Sequence, residues 1–229
     1  MLSTAINRNN PELKRAIDLG IKICHRADLL NILLRNHKSI AVTGTHGKTS
    51  TSAMISQILF EAGLNPSALI GGESHFFNTN SISGTSNYLV AEVDESDQSI
   101  KNLSADYAVI TNLEADHLDH YKDLNEIINT MNKFLSNLPE NSKLIICKDS
   151  YGNNRLLENY NKDYITYSLI DDSADYKAID ILLSKNYSKF KVKSNNSISD
   201  EFYYTYSRLT LCFKFISSNN TFSRIRHKY

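Results

Sequence analysis

Net charge is the first thing this 229-residue sequence lacks: 25 lysines and arginines face 25 aspartates and glutamates. A balanced chain has no general pull toward nucleic acid or an anionic membrane, so neither partner class is expected. Cysteine is sparse, with Cys24, Cys147 and Cys212 at no metal-like spacing and in odd number. That usage excludes a disulfide scaffold and suits reduced thiols packed as small apolar residues in a cytoplasmic protein. Apolar runs are short throughout, none near the length a bilayer-crossing helix needs. The opening residues 1–11 carry Arg8 and several asparagines but no apolar stretch, unlike a secretory leader. Tryptophan is absent and proline occurs three times; both follow codon bias and say nothing of function. Only Gly20 precedes Gly44, so the first forty residues hold no glycine-rich ligand loop.

What is present has the rhythm of an α/β fold. Pro11 to Gly20 and Arg26 to Arg35 read as helices, the second with Leu29, Leu30, Leu33 and Leu34 turned inward, and Ile21–Ile23 between them as a brief strand. Helices are expected from Lys48 to about Ala62 and from Asp123 to Leu138. Between and beyond them lie short apolar runs at Ser39–Val42, Ala68–Ile70, Tyr88–Val90, Tyr107–Ile110 and Leu144–Cys147. Near-continuous apolar strands alternating with helices predict a mostly parallel sheet covered on both faces. Ile165–Ser168, Ala178–Leu183 and Lys189–Lys193 alternate instead, as edge or antiparallel strands do. Glu201 to Tyr229 has no glycine or proline, is rich in aromatic and basic residues, and follows neither period.

Three stretches carry chemistry. In Val42-Thr43-Gly44-Thr45-His46-Gly47-Lys48-Thr49-Ser50 an apolar strand enters a glycine-bounded turn and leaves it as a helix. Free backbone N–H groups and the positive end of the helix dipole then favour an anion such as a nucleotide phosphate. Lys48 adds a point charge for the β- and γ-phosphates, and the Thr49 hydroxyl suits a magnesium ion. The loop departs from the common phosphate-loop spacing, since Val42 stands where that pattern has its first glycine. In Leu89 to Asp97 a second apolar strand runs into four carboxylates, and Glu92, the first of them, suits a hard cation. In Ala108 to His120 a third strand ends in Thr111 and Asn112, then an acidic loop with His117 and His120. Carboxyl ends of parallel strands are where α/β sheets bind ligands. Three such ends bearing a phosphate loop, a carboxylate and an Asn/His pair read as one site.

Together Gly44-Thr45-His46-Gly47-Lys48-Thr49, Ala91-Glu92-Val93-Asp94-Glu95-Ser96-Asp97 and Thr111-Asn112-Leu113-Glu114-Ala115-Asp116-His117-Leu118-Asp119 closely resemble the central ATPase domain of the Mur ligase family. Ser3-Thr4-Ala5-Ile6 with Asn10-Pro11-Glu12, and Arg26-Ala27-Asp28-Leu29-Leu30, resemble the end of that family's first domain. Ser96 and the Glu-Ala-Asp-His run resemble the alanine-adding branch more than the branch that recycles muramyl peptides, which usually has tyrosine at the position of Ser96.

The resemblance implies a phosphate-loop α/β domain over residues 38–193. It implies a Rossmann-like remnant of the UDP-substrate domain over 1–37, and an irregular tail over 194–229 that reads as translation in a shifted frame. It also implies ATP-dependent amide formation between UDP-N-acetylmuramate and L-alanine through an acyl phosphate. Gly44, Thr45, His46, Gly47, Lys48, Thr49 and Ser50 would cradle the nucleotide, with Asn112 positioning either the nucleotide or the loop. Thr49, Glu92 and His117 would bind Mg2+, and Lys48, Glu92 and His117 would be the catalytic set. Family ligases have three domains and about twice this length, so a truncated and weakly active or inactive ligase is one expectation. A stand-alone ATP-binding module acting with separately encoded ligase domains is another, and an unrelated phosphate-loop phosphotransferase a third.

Overall fold

The computed structural model describes residues 1–3, 5–96, 98–115, 121–194 and 197–204. Helices α1 (Pro11–Asp18) and α2 (Arg26–Arg35) precede strand β1 (Lys38–Thr43), helix α3 (Lys48–Glu61), and strands β2 (Ser67–Ser74), β3 (Thr79–Ile82) and β4 (Tyr88–Glu92). A 3-10 turn at Ser99–Asn102 leads to β5 (Tyr107–Ile110), then α4 (Leu124–Ser136), β6 (Lys143–Cys147) and α5 (Tyr151–Leu157). Strands β7 (Tyr164–Ser168), β8 (Tyr176–Leu183), β9 (Ser188–Ser194), β10 (Ser197–Ile198) and β11 (Phe202–Tyr204) follow.

All of these strands join one sheet, in the order β10-β9-β8-β7-β6-β5-β1-β4-β2-β3, with β11 also on β9. From β2 across to β8 every neighbouring pair is parallel, whereas β3 on one side and β9, β10 and β11 on the other add antiparallel edges. The parallel centre buries both faces, which is why its strands read as unbroken apolar runs. Along β1 the side chains divide by turn: Ala41 joins a core under α2 and α4 with Leu34, Met131 and Phe134. Ile40 and Val42 join the opposite core under α3, with Ile55, Leu59 and Val90. Helix α3 is rich in hydroxyls yet buries Thr51, Ser52 and Ser56. Ser52 and Ser56 stay satisfied by donating back to the Thr49 and Ser52 carbonyls at 3.0 and 2.7 Å.

Several sequence expectations need correction. Ile21–Ile23 is not a strand; the chain there makes a single bridge, Leu2 to His25. In α2, Leu29 is 43% exposed, and Leu30, Leu33 and Leu34 form the inner face. β7 is parallel to both neighbours and lies inside the sheet, between β6 and β8, with every residue after Tyr164 buried. Helix α5 and strand β3 were not expected at all. The sheet also runs on past residue 193, because β10 and β11 satisfy the open edge of β9.

Cys147 lies on β6, 5% exposed, and burial pushes its thiol up to about 12. With Cys24 and Cys212 replaced by serine, Cys147 should react with an aromatic disulfide at pH 8 roughly two to three orders of magnitude more slowly in folded than in urea-unfolded protein. Equal rates would place the thiol outside the core. Cys212 lies outside the described residues.

Candidate functional site

The order of strands reverses at β1, which has β4 on one side and β5 on the other. Such a reversal opens a crevice at the carboxyl ends of the strands. Register fixes what meets there: Val42 pairs with Glu92, and Thr43 pairs with Ile110. The loop after β1 is therefore flanked by the last residue of β4 and by the first residues after β5, Thr111 and Asn112.

The loop from Gly44 to Gly47 is held from the β5 side. Thr111 Oγ1 donates to the His46 carbonyl at 2.7 Å and lies 3.2 Å from the Thr43 carbonyl, which accepts from the Thr111 N–H at 3.0 Å. Asn112 grips His46 twice: its Oδ1 accepts from the His46 N–H at 2.9 Å, and its Nδ2 donates to the His46 carbonyl at 3.1 Å. Its own carbonyl accepts from the Thr45 N–H at 2.9 Å. The Thr45 hydroxyl in turn accepts from the Glu114 N–H at 3.0 Å. Of the two roles open to Asn112 in the sequence, the geometry supplies the loop-holding one. Asn112→Ala removes both contacts, roughly 1–3 kcal/mol of local restraint. The melting temperature should fall by only a few degrees, which thermal melts check.

Helix α3 is preceded by Gly47, whose φ of 85° lies in the left-handed region, with no side chain capping the first turn. Those amides face the crevice uncapped, as an anion site requires. The Lys48 ammonium curls back over the loop, 2.7 Å from the Gly44 carbonyl, 3.4 Å from that of Thr45 and 3.0 Å from Glu95 Oε1. Ser50 stands half-buried in the same first turn.

On the β4 side, the Thr49 hydroxyl donates to Glu92 Oε1 at 3.0 Å and the Gly71 N–H donates to Oε2 at 2.6 Å. A Cβ on Gly71 would lie 2.4–2.6 Å from the carboxylate atoms, so glycine at that point of β2 makes room for Glu92. Glu92 is half-buried and has no lysine or arginine partner among the described residues. No group of three or more His, Cys, Asp and Glu side chains gathers among the described residues. The donors at hand are two hard oxygens, the Thr49 hydroxyl and the Glu92 carboxylate. That pair suits Mg2+, which takes one or two protein oxygens and completes its shell with phosphate and water.

Lys48, Thr49, Glu92 and Asn112 thus share one rim. His117, with Asp116 and Asp97, lies outside the described residues. Sequence reasoning missed the support beneath the β5 loop. Ser150 caps α5 and accepts from the Leu113 N–H at 3.1 Å. Asn153, fully buried, donates to the carbonyls of Cys147 and Thr111 at 2.9 and 3.3 Å. A serine cap ahead of Arg155-Leu156-Leu157 was the available signal; Gly152 and two asparagines hid it.

Comparisons with known proteins bear on the family and the fold. The family model described as the Mur ligase middle domain matches residues 42–204. A UDP-N-acetylmuramate–L-alanine ligase from Rickettsia bellii is 40% identical over 194 residues, 84% of this chain and 41% of that protein. The enzyme of the same name from Nostoc is 45% identical over 184 residues, 78% of this chain and 37% of that protein. The chain therefore spans about two-fifths of these curated relatives. In shape it is similar to the crystal structure of a UDP-N-acetylmuramate–alanine ligase from Thermotoga maritima. The TM-score is 0.83 at 23% identity, over 97% of this chain and 50% of that one.

Proposed function

This chain belongs to the Mur ligase family, and on that premise we propose that it provides the ATP site of a ligase joining L-alanine to UDP-N-acetylmuramate. The observation that carries the proposal is the register of β4, β1 and β5, which sets a phosphate-type loop between a carboxylate and an asparagine clamp. In this reading the amides of Gly44 to Ser50 receive the triphosphate, and Lys48 offsets charge on the group in transfer. Thr49 and Glu92 would hold Mg2+, with His117 as a further ligand. When bound, the ion neutralises charge on the β- and γ-phosphate oxygens. Asn112 keeps the loop amides aimed, so alignment supplies most of the rate.

The reaction proposed has two steps. The muramate carboxylate attacks the γ-phosphorus of ATP and ADP leaves; the amine of L-alanine then attacks the acyl carbon, expelling phosphate and losing a proton. None of the described helices is long and apolar enough to cross a membrane, and a cytoplasmic location fits the use of ATP.

The direct test is nucleotide binding by the purified chain. ATP with Mg2+ should bind, and Lys48→Met should weaken binding by about a hundredfold, since an ionic contact to phosphate is charge-assisted. Equal binding by both proteins would sink the assignment of Lys48. In this reading, continued turnover of ATP with UDP-N-acetylmuramate requires L-alanine as the amine; a requirement for a free L-alanyl-γ-D-glutamyl-meso-diaminopimelate tripeptide instead would move the chain to the recycling branch.

A further inference from the structure

Four acids stand from the last residue of β4 to residue 97, and the described residues show three of them in different company. Glu92 meets Thr49 and Gly71. Asp94 is exposed and accepts only from the Ser96 N–H, at 3.0 Å. Glu95 turns inward, its side chain 2% exposed, and lies 3.0 Å from the Lys48 ammonium, whose own side chain is 14% exposed. It is anchored at two further points. The Thr43 hydroxyl donates to Glu95 Oε2 at 3.4 Å, and the buried Tyr121 hydroxyl donates to the Glu95 carbonyl.

An ammonium has three N–H donors. In Lys48 the Gly44 carbonyl, the Thr45 carbonyl and Glu95 Oε1 accept from all three. A triphosphate entering the loop can therefore gain a bond from Lys48 only as one of those acceptors lets go. The two carbonyls belong to the loop itself, and their release would deform the cradle. Glu95 is the acceptor that shares the ligand's charge sign and lies outside the loop.

From this we propose that Glu95 is a positioning residue: the counter-ion that holds Lys48 across the loop and that nucleotide phosphate displaces on binding. This rests on the nucleotide reading of the site. It makes Glu95 a brake on affinity, because its charge competes with phosphate for one ammonium. A residue needed only for the shape of the loop acts in the opposite sense, since losing it lowers affinity.

The experiment uses the full chain in two arms. In the first, ATP with Mg2+ is titrated calorimetrically into wild type, E95Q and D94N. E95Q should bind about five- to twentyfold more tightly, as removal of one nearby negative charge predicts, and D94N should stay within about twofold. Weaker binding by E95Q overturns the proposal. The second arm needs no nucleotide: thermal melts of wild type, K48M, E95Q and K48M/E95Q. Leaving Lys48 buried without its partner should lower the melting temperature in E95Q by roughly 6–12 °C. In the K48M background the same substitution should change it by less than about 3 °C. Equal losses in both backgrounds overturn the pairing. Should E95Q fail to fold, recovery of folded protein in K48M/E95Q supports the pairing, and failure to recover overturns it. Absence of ATP binding by wild type rejects the nucleotide reading, and the melts then decide the pairing alone.

Discussion

Gly44→Ala should lower ATP affinity at least a hundredfold and cost roughly 2–5 kcal/mol of stability, the range of a substitution that combines overpacking with backbone strain. A Cβ at this point would stand 2.3 Å from Thr111 Oγ1, 2.8 Å from the Asn112 carbonyl oxygen and 3.0 Å from the Asn112 nitrogen. None of these can retreat cheaply. Thr111 is buried and donates through its hydroxyl to the His46 carbonyl, and the Asn112 carbonyl holds the Thr45 N–H. Gly44 also has φ 127°, a conformation that side-chain-bearing residues rarely adopt. Gly20→Ala is the control, because φ there is 65° but nothing lies within 4 Å of the added carbon. It should cost about 1 kcal/mol and leave ATP binding intact. Denaturant melts and calorimetric titration of the two variants separate loop geometry from a general intolerance of alanine.

Glu92→Gln is the second large effect, although the change looks conservative. Both oxygens of Glu92 accept hydrogen bonds, one from the Thr49 hydroxyl and one from the Gly71 N–H. An amide has one oxygen, so its NH2 must face a donor on one side, and Gly71 is packed too closely for the side chain to shift away. The hard anionic donor disappears at the same time. Wild type should bind ATP more tightly when Mg2+ is added, and in Glu92→Gln that enhancement should shrink by at least about tenfold. Titrations with Mg2+ and with excess chelator measure it. An undiminished enhancement would remove Glu92 from the proposed metal site.

The centre of this architecture was readable from local patterns because burial on both faces leaves the plainest mark a strand can carry. β1, β4, β5 and β6 each stand out as an apolar run, α3 as a helix closed by Gly63, and α4 as a periodic helix that Asp123 caps. Pairing partners were harder. Whether β7 runs parallel or antiparallel depends on the strand beside it, and nothing in Tyr164–Ser168 encodes that neighbour. Polar helices hid as well: α5 opens Tyr-Gly-Asn-Asn and draws its stability from Ser150 and from Leu156 in the core, not from propensity. At the rim, the residue types of Lys48, Thr49 and Glu92 announced their chemistry, but Glu95 sat in a run of four acids with no local sign that one of them turns inward. What sets Glu95 apart from Asp94 includes its side-chain contacts to Lys48 and Thr43 and the Tyr121 bond to its carbonyl, all from residues distant in sequence.

Hydrogen exchange read by mass spectrometry, with and without ATP and Mg2+, tests the central claim most directly, because it asks whether three separated segments respond as one site. The account predicts that nucleotide slows exchange together in residues 43–50, around Glu92 and in residues 111–114, while peptides from α1 and from the β8–β9 hairpin stay unchanged. Protection of the loop alone, or protection centred away from the carboxyl ends of β1, β4 and β5, would contradict it.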